Sequence, residues 1–148
     1  MHARRIVLAT LAIAALFCTT SSAEEMKWLT SAEKAAVEAE KTGKPILIYV
    51  SKKNCFYCDK MQKDVWCHPT ATRRVLRDFI PLKLSLERNP AAVRALKVKG
   101  YPTTVLFSSK RSFIGSLPGY KQPAEYLTAL DRAKTGKLAQ QAPATKVR

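Results

Sequence analysis

This 148-residue chain has few acidic residues, no long apolar run and no internal repeat. It carries 11 Asp and Glu against 26 Lys and Arg, a formal net charge of +15. The basic residues are spread along the chain, and no stretch interleaves them with aromatic residues as a nucleic-acid platform does. The charge therefore indicates attraction to acidic partners or a membrane surface, and no nucleic acid is expected as a partner. A hydrophobic fraction of 47% is enough for the core of one domain.

The apolar run over residues 6–17 is too short to span a bilayer comfortably. It follows a short basic segment and precedes Ser21-Ser22-Ala23, which places small residues where signal peptidase reads them. We therefore predict a signal peptide over residues 1–23 and export of the remaining chain. An uncleaved membrane anchor is the alternative interpretation.

Cleavage after Ala23 would remove Arg4 and Arg5 and lower the net charge from +15 to +13. Cys18 would be removed with the signal peptide. A lipid anchor on Cys18 is disfavoured because lipoprotein signals carry a small residue before the cysteine, and this chain has Phe17 there. The mature chain would keep three cysteines in an oxidising compartment, which favours disulfide chemistry over zinc–thiolate sites.

Cys55 and Cys58 form a C-x-x-C motif between two predicted elements. The apolar segment 45–51 is typical of a buried strand, and a helical pattern follows the motif. The amino terminus of a helix stabilises a thiolate on the first cysteine, and the second lies one turn on. This arrangement favours redox exchange, with a static buried disulfide or half of a zinc site as alternatives. Haem attachment is excluded because Asp59 follows the motif where histidine is required.

Further helices and strands follow from periodicity, caps and turn residues. The first helix is expected to start from a capping box made by Thr30 and Glu33, and to end at Gly43. Residues 24–136 are predicted to form one domain, and residues 137–148 a disordered basic tail. The remaining predicted elements are a helix after Pro69, a strand over 82–86, a helix from Pro90 capped by Asn89, strands over 104–107 and 112–117, and a helix over 123–134 closed by Gly136. Together they predict an α/β fold with a central four-stranded mixed sheet flanked by helices.

The chain resembles the thioredoxin superfamily over about residues 26–135. The resemblance is carried by the C-x-x-C after a strand, by Lys83 to Pro90, by Gly100-Tyr101-Pro102-Thr103 and by Pro118-Gly119-Tyr120. It implies a thioredoxin fold, a cis bond before Pro102 and a redox-active disulfide that needs no bound cofactor. Trp28, Gly43-Lys44-Pro45 and Lys60-Met61 are similar to periplasmic thioredoxin-like domains, including the carboxy-terminal domain of the transmembrane reductase of the disulfide system.

The resemblance also implies the roles of the site residues. Cys55 is expected to be the partly exposed nucleophile and Cys58 the buried resolving thiol. Four residues are expected to contact the substrate: Phe56 and Tyr57 inside the motif, and Tyr101 and Pro102 beside it.

Three positions depart from the thioredoxin pattern. Asn54 replaces the tryptophan before the first cysteine, and Phe56-Tyr57 replaces Gly-Pro. Tyr49 stands where thioredoxin has a buried carboxylate that helps to deprotonate the second cysteine. Lys83 matches a lysine near that carboxylate and is expected to lie under the site without its usual partner.

Residues near the motif have less specific interpretations. Cys67 is expected to pack as a small hydrophobe at a helix end, and a regulatory or intermolecular thiol is the alternative. A metal site built with His68 fits poorly with a reactive first thiol, so no metal is expected, and His68 is expected to face solvent. The lysine cluster 52, 53, 60 and 63 is expected to be a solvated face, with selection of acidic partners as the alternative.

The sequence thus predicts an exported, periplasmic and monomeric thiol–disulfide oxidoreductase. Its partners would be protein thiols and disulfides and a redox partner protein, without stable membrane insertion after signal cleavage. Reduction is the preferred direction, by likeness to the periplasmic domains. A metal-binding or partner-binding module with the same fold but no redox turnover is the rival interpretation.

Overall fold

The computed structural model describes residues 25–135. Predictions for the signal peptide, the end of the last helix at Gly136 and the tail lie outside the described residues. Within residues 25–135, no helix has both the length and the apolar character needed to cross a membrane. The elements are α1 (Ala32–Thr42), β1 (Ile46–Ser51), α2 (Phe56–Met61), a π-helical turn (Gln62–Trp66), α3 (Pro69–Asp78), β2 (Ile80–Ser85), α4 (Pro90–Ala95), β3 (Thr103–Phe107), β4 (Phe113–Pro118) and α5 (Pro123–Lys134).

A four-stranded mixed sheet with the order β2-β1-β3-β4 forms the centre of the molecule. β1 pairs in parallel with β2 and antiparallel with β3, while β3 and β4 form an antiparallel hairpin. Leu29 adds a parallel bridge to Leu82 at the outer side of β2. The predicted α/β fold with a mixed four-stranded sheet is therefore confirmed.

The two faces of β1 bury alternate side chains against different helices. Leu47 and Tyr49 belong to one core cluster, with side chains of the π-helical turn, α3 and α5. Ile46, Ile48 and Val50 belong to the other, with side chains of α1 and α4. β1 thus lies between two helix layers, which explains why its sequence is apolar throughout.

Helix α1 begins one residue later than the sequence predicts. Ser31, not Thr30, is its N-cap, because the Ser31 hydroxyl accepts a hydrogen bond from the Lys34 backbone N–H and donates one to Glu33. The helix ends as predicted at Gly43, which adopts φ +73°, a conformation that glycine reaches without steric cost.

The helix that follows the C-x-x-C motif changes from α-helical to π-helical at Gln62. It ends at Cys67, and His68 then caps α3, with Pro69 at the first helical position. Proline at this position needs no N–H, so the predicted break is confirmed. The π-helical turn itself was not predicted.

Candidate active site

The C-x-x-C motif lies at the point where β1 ends and α2 begins. Cys55 is the N-cap of α2, and its sulfur accepts a hydrogen bond from the Cys58 backbone N–H at 3.2 Å. Cys55 and Cys58 are joined by a disulfide, with their Cα atoms 5.2 Å apart. The first sulfur of the pair therefore lies at the amino terminus of a helix, where unpaired N–H groups favour negative charge.

Both cysteines are buried in this oxidised form. Cys55 is 7% exposed and Cys58 is 6% exposed, so the expected difference between a partly exposed and a buried cysteine is absent. The prediction of a partly exposed Cys55 is therefore wrong for the disulfide-bonded form. Reduction separates the two sulfurs, so any difference in their accessibility belongs to the dithiol state.

Asn54, which stands where thioredoxin has tryptophan, occupies a left-handed backbone position with φ 50°. Asparagine tolerates this region better than most residues because its side chain is short and polar. The turn into the motif therefore accounts for asparagine at this position.

Tyr49 lies beneath Cys58, on β1. Its hydroxyl donates a hydrogen bond to the Cys58 carbonyl oxygen at 3.2 Å, and only 1% of the residue is exposed. Burial raises the pKa of the Tyr49 hydroxyl to about 12, so it stays neutral and acts as a donor. The position that holds a carboxylate in thioredoxins thus holds a neutral hydrogen-bond donor in this chain.

Trp66 packs edge-on against Tyr49, with ring centroids 5.1 Å apart, and against Trp28 and Tyr126. It is 2% exposed. The π-helical turn brings Trp66 into this aromatic cluster and thereby fixes the floor of the site. Trp66 lies in the helical pattern that follows the C-x-x-C motif, but its place in the site was not predicted.

Lys83 pairs in register with Tyr49, on the neighbouring strand β2. Its ammonium lies 5.9 Å from the centre of the Tyr49 ring and donates to the Gln62 side-chain oxygen at 3.3 Å. Burial and the nearby Arg88 charge lower the pKa of Lys83. Among residues 25–135, Lys83 has no carboxylate partner within ion-pair distance. Its amide partner Gln62 was not predicted.

The loop before β3 brings Tyr101 and Pro102 to the same end of the sheet. The register pair of Val50 and Thr103 places the end of β1 beside the start of β3. The Tyr101–Pro102 peptide bond is cis, and the Pro102 carbonyl accepts from the Gly119 N–H at 2.8 Å. The Lys52 ammonium lies 5.7 Å from the centre of the Tyr101 ring.

Aromatic residues are exposed beside the disulfide. Phe56 is 74% exposed and Tyr57 is 56% exposed, and the Tyr57 ring stacks on Tyr120 with centroids 6.3 Å apart. Exposed aromatic side chains at the mouth of a site offer apolar area to a partner. The predicted substrate-contacting residues Phe56 and Tyr57 therefore face solvent.

Tyr120 also connects the loop after β4 to α2 and the π-helical turn. Its hydroxyl donates to Asp64 at 2.6 Å, Asp64 pairs with Lys60 at 2.9 Å, and the Lys60 ammonium lies 5.0 Å from the Tyr120 ring centre. The hydrogen bond from Tyr120, together with Lys60, lowers the pKa of Asp64. Tyr120 appeared in the sequence pattern only as the residue after Gly119, so this contact was missed.

Cys67 is exposed, and its expected packing as a small hydrophobe was wrong. It ends the π-helical turn and turns outward, because that turn directs Trp66 into the core. The exposed position predicted for His68 is confirmed. Over residues 25–135, no group of three or more His, Cys, Asp or Glu side chains is arranged to hold a metal ion.

Comparison with known proteins agrees with this architecture. The family profile described as "Thioredoxin-like domain" matches residues 32–134. Comparison with curated proteins finds no match.

Solved structures with this fold include several thioredoxins and an oxidoreductase. A thioredoxin from Thermus thermophilus superposes with a TM-score of 0.68 at 24% identity, covering 78% of this chain and 92% of that one. The DsbH oxidoreductase superposes with a TM-score of 0.66 at 16% identity, covering 90% of this chain and 95% of that one. A poplar thioredoxin h superposes with a TM-score of 0.58 at 16% identity, covering 70% of this chain and 92% of that one.

The profile match spans more than half of the chain and contains every strand of the sheet and both motif cysteines. The chain belongs to the thioredoxin-like domain family.

Proposed function

We propose that this protein is an exported, periplasmic thiol–disulfide oxidoreductase that exchanges disulfides with partner proteins through Cys55 and Cys58. The observation that carries the proposal is the position of Cys55 as N-cap of α2, bonded to Cys58. When such a disulfide is reduced, the helix amino terminus stabilises the thiolate of the first cysteine, and the second thiol lies within reach of it. Disulfide exchange requires both features. Membership of the thioredoxin-like family supports the same activity.

In the reducing direction, the Cys55 thiolate attacks one sulfur of a partner disulfide. The partner's S–S bond breaks, a Cys55–partner mixed disulfide forms, and one partner thiolate leaves and takes up a proton. The Cys58 thiolate then attacks the Cys55 sulfur, so that the intramolecular disulfide forms and the second partner thiolate leaves. Two electrons pass from the cysteine pair to the partner, and a redox partner protein restores the dithiol.

The residues around the pair support the two steps differently. The α2 amino terminus stabilises the Cys55 thiolate as the nucleophile of the first step. In the second step the Cys55 sulfur is attacked by Cys58, and the partner's thiolate is the leaving group. Tyr49 holds the Cys58 backbone through its carbonyl oxygen and keeps the first turn of α2 in place. Tyr49 is neutral, and Lys83 has no carboxylate partner within residues 25–135, so neither residue supplies the buried acid that assists the second cysteine in thioredoxins.

The reduction potential of the cysteine pair is the decisive measurement. The Cys67→Ser variant is equilibrated against glutathione buffers, and the dithiol fraction is measured by alkylation and mass spectrometry. A potential near that of thioredoxin, about −270 mV, is expected for the reductase direction, whereas about −120 mV would identify an oxidase. The absence of a reversible transition would overturn the proposal in favour of a static binding module.

Alkylation kinetics of the reduced protein give an independent test. Cys55 is expected to react with iodoacetamide much faster than Cys58, because only its sulfur caps the helix. Peptide mapping separates the two sites. Equal rates at both cysteines would contradict the assignment of nucleophile and resolving thiol.

A further inference from the structure

A groove of about 560 Å³ opens where the parallel strands β1 and β2 end. Ser51 and Ser85, the paired last residues of these strands, form part of its lining. The carboxyl ends of parallel strands form the edge at which open α/β sheets bind ligands.

The charge in this groove is strongly one-sided. Its charged lining residues are four cations, Lys52, Lys53, Lys83 and Arg88, and one carboxylate, Glu87. None of the four cations forms an ion pair with a carboxylate within residues 25–135. Glu87 instead accepts a hydrogen bond from the Lys53 backbone N–H at 2.8 Å. The groove therefore presents positive charge that the described chain leaves unneutralised.

The cations affect one another. The Lys83 ammonium is half-buried, and burial first and the Arg88 charge second lower its pKa. Other cations of residues 25–135, such as Lys41 and Lys110, also have no ion pair, and what distinguishes the groove is that four such cations line one concave surface. Gathering unpaired like charges in one concave surface costs free energy in the isolated protein and is relieved by an anionic ligand.

Two of the groove's lysines lie close to the redox site. Lys52 and Lys53 lie in the connection between β1 and Cys55, so the groove begins two residues from the motif. The Lys52 ammonium also lies over the ring of Tyr101, the residue before Pro102. A chain segment bound beside Pro102 with its cysteine at Cys55 would have its flanking residues within reach of these lysines.

We propose that this groove binds an acidic segment of the redox partner, next to the partner's reactive cysteine. The proposal rests on the proposed function and specifies its substrate class. Positive charge in a concave surface favours carboxylate side chains, and such complementarity acts mainly on the rate of association. The groove cations and the exposed rings of Phe56 and Tyr57 would contact the same segment.

The test uses three peptides with one intramolecular disulfide each, identical except for Asp/Glu, Asn/Gln or Lys residues flanking the cysteines. Their rates of reduction by the reduced full-length protein are measured by stopped-flow tryptophan fluorescence. The salt concentrations are about 0.01 M and 1 M, where the Debye lengths are about 30 Å and 3 Å. We expect the acidic peptide to react about tenfold faster than the neutral one at low salt and at a similar rate at high salt.

Matched variants locate the effect. Lys53→Gln combined with Arg88→Gln removes two groove cations, and we expect the ratio of the acidic to the neutral rate to fall towards one. Lys41→Gln combined with Lys110→Gln removes the same charge at the opposite end of the sheet, and we expect the ratio to stay at its wild-type value. Reduction of the uncharged 2-hydroxyethyl disulfide is measured in parallel to report on the thiol alone.

The outcomes separate the two proposals. Equal rates for all three peptides at low salt would overturn the acidic-partner proposal and leave the oxidoreductase intact. No reduction of any peptide would overturn the acidic-partner proposal, and if the cysteine pair also showed no reversible dithiol–disulfide transition, the oxidoreductase proposal would fail with it. Loss of the preference in inorganic phosphate, but not in chloride of equal ionic strength, would identify a small-anion site and also overturn the acidic-partner proposal.

Discussion

The hydroxyl of Tyr49 donates a hydrogen bond to the backbone carbonyl oxygen of Cys58, 3.2 Å away. It connects the middle of the central sheet to the first turn of the helix that carries the redox pair. The same carbonyl accepts from the Gln62 N–H, the helical bond expected at this position. The Cys58 carbonyl of α2 therefore accepts two hydrogen bonds, one from α2 itself and one from Tyr49 on β1.

Replacing Tyr49 by Phe should lower the free energy of unfolding by about 1 kcal/mol, the usual net value of one hydrogen bond. The loss stays near this value because the Cys58 carbonyl keeps its helical partner. Urea unfolding of the oxidised protein measures it, with Tyr57→Phe as the control, since Tyr57 is 56% exposed. Equal midpoints for both variants would show that the buried contact contributes nothing.

Asp78, at the end of α3, receives three cationic side chains. The largest effect comes from Arg77, and together with Lys134 and Arg74 it holds the pKa of the Asp78 carboxyl well below its usual range. The Asp78 side chain is only 9% exposed. A carboxyl with a depressed pKa in the folded state stabilises the fold above its unfolded pKa, about 3.9, and this contribution is lost as pH falls through the lower folded value.

Asp78→Asn should therefore lower the free energy of unfolding by about 2 kcal/mol at pH 7. The difference from the wild type should shrink below about pH 4, as the wild-type carboxyl approaches its folded pKa. Unfolding in denaturant across this pH range checks the prediction, and Glu38→Gln, an exposed acid of α1, serves as the control. A difference that is independent of pH would contradict the assigned charge contacts.

Tyr120→Phe removes the first of the groups that lower the pKa of Asp64. The pKa of Asp64 should rise towards its ordinary value but stay below it, because Lys60 still pairs with the carboxylate at 2.9 Å. An NMR titration of the carboxyl groups measures the change, with Glu33 of α1 as an internal reference. An unchanged Asp64 titration would show that the contact between Tyr120 and Asp64 does not persist in solution.

Cys67 is the free thiol among the cysteines that the structure describes, and it is exposed. Maleimide should therefore label Cys67 in the oxidised protein, whereas Cys55 and Cys58 should be labelled only after reduction. Peptide mapping by mass spectrometry assigns the labels and keeps Cys18 separate. Labelling of Cys55 before reduction would show that the disulfide is not the resting state.

Much of the fold follows from local signals. The last helix lies at the predicted bounds, 123–134, because Pro123 provides a first helical residue and Tyr126 and Leu130 repeat at helical spacing. The first helix was displaced by one residue because Thr30 and Ser31 are adjacent hydroxyl residues. Both residues can cap a helix, so the local pattern does not decide between them.

The redox pair could be located from sequence, but not its surroundings. The contact of Tyr120 with Asp64 joins residues 56 positions apart, and that of Lys83 with Gln62 joins residues 21 apart. The near-equal burial of Cys55 and Cys58 depends on the packing of the oxidised pair. Such contacts are set by tertiary packing, which no local spacing encodes.

The π-helical turn at Gln62–Trp66 also affects how the chain is compared with its relatives. A turn with bonds from residue i to i+5 accommodates about one residue more than an α-helical turn with bonds to i+4. An alignment with a relative whose helix is α-helical throughout therefore needs a one-residue gap inside this turn. A gap placed after Cys67 would align Trp66, which lies in the core, with the relative's counterpart of the exposed Cys67.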